Sequence, residues 1–145
     1  MIHHEPGKTR KHVWSLDAAL DKSDEEGFKA AWEKFLKDDD VAALPLVEGD
    51  APTVFDLEPL SRKAFTAVMK LDGLEQASEA VAYGLCGVTG FHVKGKPFTI
   101  ERKETNGSAR LTAKTMDAIY DPFLFMELGY RVIAISRIDP TRGQG

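Results

Sequence analysis

A single cysteine, Cys86, stands among the 145 residues. No disulfide framework can therefore close within the chain, and the expectation is a reducing compartment, the cytoplasm. The N-terminal "MIHHEPGKTRKH" lacks the apolar core of a secretory signal. A basic excess is also missing. The formal net charge is −4, which weighs against nucleic acid as the main partner, because neutralising phosphates needs a basic surface. Internal repeats, long linkers and low-complexity runs are absent. What remains, 43% hydrophobic and 29% charged residues, is the make-up of one folded globular domain.

Catalytic and ligand-binding patterns are missing too. A metal site needs His, Cys or carboxylates at ligand spacing. His3, His4 and His12 fall in an N-terminal arm, and His92 stands alone. The acidic run Asp38–Asp40 has no later ligands at the offsets of a calcium loop. "YGLCG" around Cys86 is no nucleophile elbow, and "GLCGVTG" lacks the GK[ST] of a phosphate loop. "KGKPFTIERK" carries one aromatic, Phe98, too few for a base-stacking platform. His92 and Cys86 are the only isolated reactive groups of the folded part. The expectation is a protein that is not an enzyme and uses no cofactor or metal.

Helix signals are plentiful. Ser23 followed by Glu26 reads as a capping box. Behind it Phe28, Ala31, Trp32, Phe35 and Leu36 share one helical face, and the acidic run 38–40 closes that helix. Upstream, "VWSL" at 13–16 fits a short strand or an apolar plug. "LPLVEGDAP" is a loop. In "TVFDLEPL" Phe55 and Leu57 alternate with polar neighbours as in a half-buried strand, which Pro59 keeps at an edge or ends. Ser61 caps a helix through Ala64, Phe65, Val68 and Met69, closed by Asp72–Gly73. A second helix through Leu74, Ala77, Val81 and Leu85 completes an antiparallel pair. "CGVTGF" reads as a turn-rich exit, and residues 92–112 as a hairpin turning at Asn106–Gly107. Thr112 caps a short helix through Met116, Ile119 and Tyr120.

The most apolar stretch is "YDPFLFMELGYRVIAISRI", residues 120–138. Asp121 as cap and Pro122 at the first position open a helix of seventeen residues. At 1.5 Å per residue that is about 25 Å, near the lower limit for a bilayer span. Glu127, Arg131 and Arg137 inside it exclude that role. Phe125, Leu128, Val132 and Ile135 form the core stripe, with Glu127 and Arg131 spaced for an ion pair on the outer side. Phe123, Met126, Tyr130, Ile133 and Ile138 lie off the stripe and form the candidate partner interface. Whether they meet their own core or a partner stays open at this point.

Together these elements define an α-rich α+β domain of roughly five to six helices with one small antiparallel sheet or hairpin. Its expected limits are a basic flexible arm at 1–12, a globular domain at 13–138 and a polar tail at 139–145. Lys8, Arg10 and Lys11 are the candidate arm contacts. Residues 17–40 carry nine carboxylates against four lysines. That excess supports an alternative role, an acidic module that mimics nucleic acid and binds a host or regulatory protein.

Between residues 52 and 139 the order of features resembles small bacteriophage tail-morphogenesis proteins, the tail assembly chaperone-like group and small tail- or neck-associated virion proteins. The matching stretches are "PTVFDLEPLSRKAF", "VAYGLCGVTGF" and "RLTAKTMDAIYDPFLFMELGYRVIAISRID". The resemblance implies a protein that binds other phage structural proteins of the tail, neck or portal region and works as an oligomer in an assembly. Its place would be the host cytoplasm during assembly, or the virion. It carries over no catalytic residue.

Overall fold

The computed structural model describes residues 9–105 and 107–138. The first element is already a strand, β1 (Arg10–Val13). It pairs antiparallel with β2 (Val54–Leu57), Arg10 opposite Leu57 and Val13 opposite Val54. Residues 10–12 therefore belong to the sheet and not to a flexible arm. Partners distant in sequence hold it there: Arg10 meets Asp39, Lys11 meets Asp56 and His12 meets Glu127. Val13 meanwhile is fully buried.

Helix α1 (Glu25–Asp38) follows. Its cap is Asp24, whose carboxylate accepts from the Gly27 N–H at 3.0 Å. Ser23 does not form the expected capping box, because its hydroxyl is donated to Asp21 at 2.7 Å. The predicted apolar face is used as expected. Phe28, Trp32 and Leu36 flank buried Phe35, and the group packs on Val13, Leu20 and Leu44. Adjacent rings lie 5.3–5.8 Å apart, within the range of favourable aromatic pairing. Asp39, left-handed at φ 59, ends the helix.

β2 holds the middle of a three-stranded sheet, ordered β1-β2-β3. Phe55 and Leu57 point into the core, as their alternation requires. Pro59 ends this strand and does not mark an edge. Ser61 then caps α2 (Arg62–Met69), accepting from the Ala64 N–H. Gly73 has φ +57 but opens α3 (Gly73–Gly84) instead of closing α2. The Gln76 side-chain amide donates to the Val68 carbonyl in the last turn of α2 at 3.4 Å and to the Leu71 carbonyl just beyond it at 2.8 Å. "CGVTGF" is not a turn-rich exit. Its first four residues belong to β3 (Leu85–Thr89), antiparallel to β2, and the chain bends after them at Gly90, φ +82.

Beyond β3 come two small hairpins. β4 (His92–Val93) pairs with β5 (Lys96–Pro97), and β6 (Arg102–Thr105) with β7 (Ser108–Leu111). Gly107 in the second turn has φ +82, which suits glycine at that position. Thr112 caps α4 (Ala113–Ile119) through the Thr115 N–H. Asp121 Oδ1 accepts from the Phe123 and Leu124 N–H groups and so opens α5 (Pro122–Ile138). The described residues thus form an α-rich α+β fold with five α-helices, one three-stranded sheet and two hairpins.

The main core lies where α5 crosses α3. Phe125, Leu128, Val132 and Ile135 are all buried, as their spacing demands. Gly129 faces Ala77 so closely that a Cβ there would lie 2.3 Å from the Ala77 carbonyl oxygen. The two backbones meet at this glycine. Ser136, fully buried, donates to the Val132 carbonyl and accepts from the Leu60 N–H at 2.9 Å. An otherwise orphaned backbone donor is thereby satisfied.

Candidate functional site

Four segments distant in sequence converge on an apolar groove of about 460 Å³. Trp14 and Leu16 come from the turn after β1, Phe55 from β2 and Phe91 from the loop after β3. Tyr120 and Leu124 come from the α4–α5 junction. Asp17 also lines it, but both of its oxygens are engaged, with the Ala19 and Thr53 N–H groups at 2.9 Å each. Asp121 lines it too, with Oδ1 engaged by the Phe123 and Leu124 N–H groups, so the surface is mainly apolar with its carboxylates tied to backbone. Leu16 is 57% exposed and Tyr120 51%, the Tyr120 ring standing edge-on to Phe125. Clustered exposure of large apolar groups is a mark of interaction surfaces.

The candidate interface residues of α5 divide. Phe123 is 71% exposed and next in sequence to Leu124 of the groove. Tyr130, two turns further on, is exposed as well, and Met126 between them is half-buried. Ile133 is a correction: at 5% exposure it belongs to the core, because it turns inward beside Val132. The Ile138 side chain lies outside the described residues.

Of the arm contacts, Lys8 lies outside the described residues. Arg10 and Lys11 are committed within the chain and do not form a free basic arm. Arg10 donates to Asp39 at 2.5 Å and to the Leu36 carbonyl at 3.3 Å. Lys11 donates to Asp56 at 2.8 Å. Arg131 also donates to the Leu36 carbonyl, so two guanidinium groups neutralise the C-terminal end of α1. Arg131 therefore does not pair with Glu127, as the i, i+4 spacing had suggested.

Glu127 instead faces the N-terminal strand. It accepts from His12 Nε2 at 2.7 Å, from the Ser15 N–H at 2.8 Å and from the Ser15 hydroxyl. Burial pushes this carboxyl up, but the hydrogen bonds from His12 and Ser15 and the charge of His12 outweigh it. The net result is a carboxyl held below its ordinary range. His12 is 2% exposed, so it is a packed strand residue, edge-on to Trp32. Its Nδ1 has no partner among the described residues. Cys86 is half-buried, with its thiol 3.3 Å from the Asp56 carbonyl oxygen. Burial, then the charge of Glu58, pushes it up to about 11, the mark of an inert thiol. His92 stands exposed on β4.

A second, smaller groove of about 300 Å³ runs along the start of α1. Phe28, Ala31 and Pro45 line it together with Asp21 and Asp24. Hydrogen bonds from the Ser23 hydroxyl and N–H hold the Asp21 carboxyl below its ordinary range. Elsewhere on α1 the exposed carboxylates Glu25, Glu26, Glu33 and Asp38 alternate with exposed Lys29, Lys34 and Lys37.

Among the described residues no group of three or more His, Cys, Asp or Glu is placed to hold a metal, and no helix is long and apolar enough to cross a membrane. Comparison with protein-family models, curated proteins and solved structures finds no match.

The first groove escaped the sequence because its walls come from separate segments. The one local signal was "VWSL", whose Val13 enters the core while Trp14 and Leu16 line the groove.

Proposed function

We propose that this chain is a bacteriophage assembly or virion structural protein of the tail or neck, acting through protein–protein contacts and not through catalysis. Other phage structural proteins are its partners, and it meets them in the host cytoplasm during assembly. The resemblance of residues 52–139 supports the phage reading. The observation that carries the mode of action is Phe123, 71% exposed at the head of an otherwise core-forming helix and beside the apolar groove. Large aromatics placed in this way are characteristic binding hot spots.

The test has two parts. Mass spectrometry of purified virions reports whether the protein is present in fixed copy number, as a neck or tail subunit is, or is left behind, as a chaperone is. Co-purification with tail and neck proteins then compares the parent with Phe123→Ser and Leu16→Ser. Both substitutions are expected to weaken capture at least tenfold, with the thermal midpoint little changed because both sites are exposed. A chain that is missing from virions and captures no tail, neck or portal protein would end the proposal.

A further inference from the structure

The β4–β5 hairpin contributes nothing to its own core. All six residues from His92 to Pro97 are exposed, whereas the other strands whose burial is described each place at least one side chain inward. The hairpin is nevertheless firmly based. Phe91 and Phe98 close its foot edge-to-face at 5.5 Å, and the Phe98 N–H donates to the Phe91 carbonyl at 2.8 Å. Its two-residue turn, Lys94–Gly95, has φ 52 and 78, the double left-handed turn that matches strand twist. Asn or Gly normally occupies the first of these positions, and a lysine seldom does. Lys94 and Lys96 make no ion pair or hydrogen bond among the described residues.

We propose that this basic finger docks into the groove at the start of α1 on a second copy of the chain. The groove offers the complementary chemistry. Asp21 and Asp24 each use one carboxylate oxygen on their own backbone turn, and the other has no partner among the described residues. The same groove is lined by apolar Phe28, Ala31 and Pro45, suited to lysine stems and to Val93, which is 39% exposed. The neighbouring Lys22 does not line it. Its ammonium is donated to the Ser15 carbonyl and lies 5.5 Å from the centre of the Phe28 ring, so this surface already accepts a cation.

The sheet order makes the contact one between copies. The finger leaves from the β3 edge, while α1 packs beyond the β1 edge. Finger and groove are different surfaces, so the contact is head-to-tail and repeats into rings or filaments. It needs no phage partner. Virion content tests the tail or neck reading, self-association of the purified chain tests this contact, and either can fail without the other.

Sedimentation velocity of the parent is expected to show oligomers at about 50 mM NaCl and monomer at about 500 mM, since the contact is screened. Lys94→Glu with Lys96→Glu, and separately Asp21→Asn with Asp24→Asn, each weaken association roughly tenfold or more. Asparagine keeps the helix cap, and far-ultraviolet circular dichroism confirms folding of both variants. Mixing the two variants pairs the intact finger of one with the intact groove of the other. Dimers form, and nothing larger. A parent that stays monomeric at low salt overturns the proposal. Oligomers indifferent to both variants do so too, and so does a finger that binds a DNA duplex while the chain fails to self-associate.

Discussion

Replacing Gly129 by alanine sets local helix preference against helix packing. In an isolated helix the change stabilises by about 1 kcal/mol. In the folded chain the added carbon would lie 2.3 Å from the Ala77 carbonyl oxygen and 2.5 Å from the Ala77 Cα. Carbon atoms in contact rest about 3.5–4 Å apart, so α3 has to retreat by roughly 1 Å or more. A backbone atom cannot swing aside as a side-chain end does. The retreat opens the seam in which Ala80, Val81, Leu128 and Val132 are fully buried. Overpacking costs roughly 1–3 kcal/mol and occasionally more. After the helix preference is subtracted, we expect a net loss of about 2 kcal/mol, the upper end of that range because the obstacle is backbone. Urea unfolding followed by circular dichroism should show the midpoint falling by roughly 1–2 M at unchanged slope. Ala30→Gly, on the exposed side of α1, calibrates the preference and should cost about 1 kcal/mol. A Gly129→Ala chain as stable as the parent, or more stable, refutes the backbone-to-backbone approach of α3 and α5.

Glu127→Gln removes the charge that receives His12 and Ser15, and should cost roughly 1–3 kcal/mol at neutral pH. Because the folded carboxyl lies below its ordinary value of 4.5, this stabilisation is present above that value and is lost as pH falls through the folded one. Parent and variant should therefore converge in acid; a gap that stays constant across a pH series of urea titrations would exclude the linkage. Asp121→Ala removes the acceptor for two N–H groups at the head of α5 and should lower stability by about 1 kcal/mol, read as a drop in thermal midpoint. Cys86, with its thiol at about 11, should react with iodoacetamide at neutral pH more slowly than a free thiol, and reach the free-thiol rate only in denaturant. Rapid labelling of the folded chain would contradict the raised pKa of this half-buried thiol.

Local features were the legible ones. Ser61, Thr112 and Asp121 cap their helices as read, because a cap is decided within three or four residues. The stripe Phe125, Leu128, Val132 and Ile135 was plain for the same reason. Long-range pairing was not. Nothing near residues 10–12 announces a strand, since two basic side chains and a histidine become strand residues only when Asp39, Asp56 and Glu127 are brought to them. β3 hid behind its glycines, which look like turns until β2 supplies the partner. Glu127 and Arg131 had an ideal local spacing, yet each found a stronger partner across the fold. The apolar groove was invisible as a site, with only "VWSL" on view.

The bond between His12 and Glu127 joins residues 115 apart in sequence, and it also sets an order of events in synthesis. At 5–20 residues per second, roughly 6 to 23 s pass between the making of one partner and the other. Throughout that interval His12 has no carboxylate, and the Leu36 carbonyl has no Arg131. The first strand can pair with β2 and pack on α1 well before that interval ends, but its buried histidine meets its carboxylate only when α5 arrives.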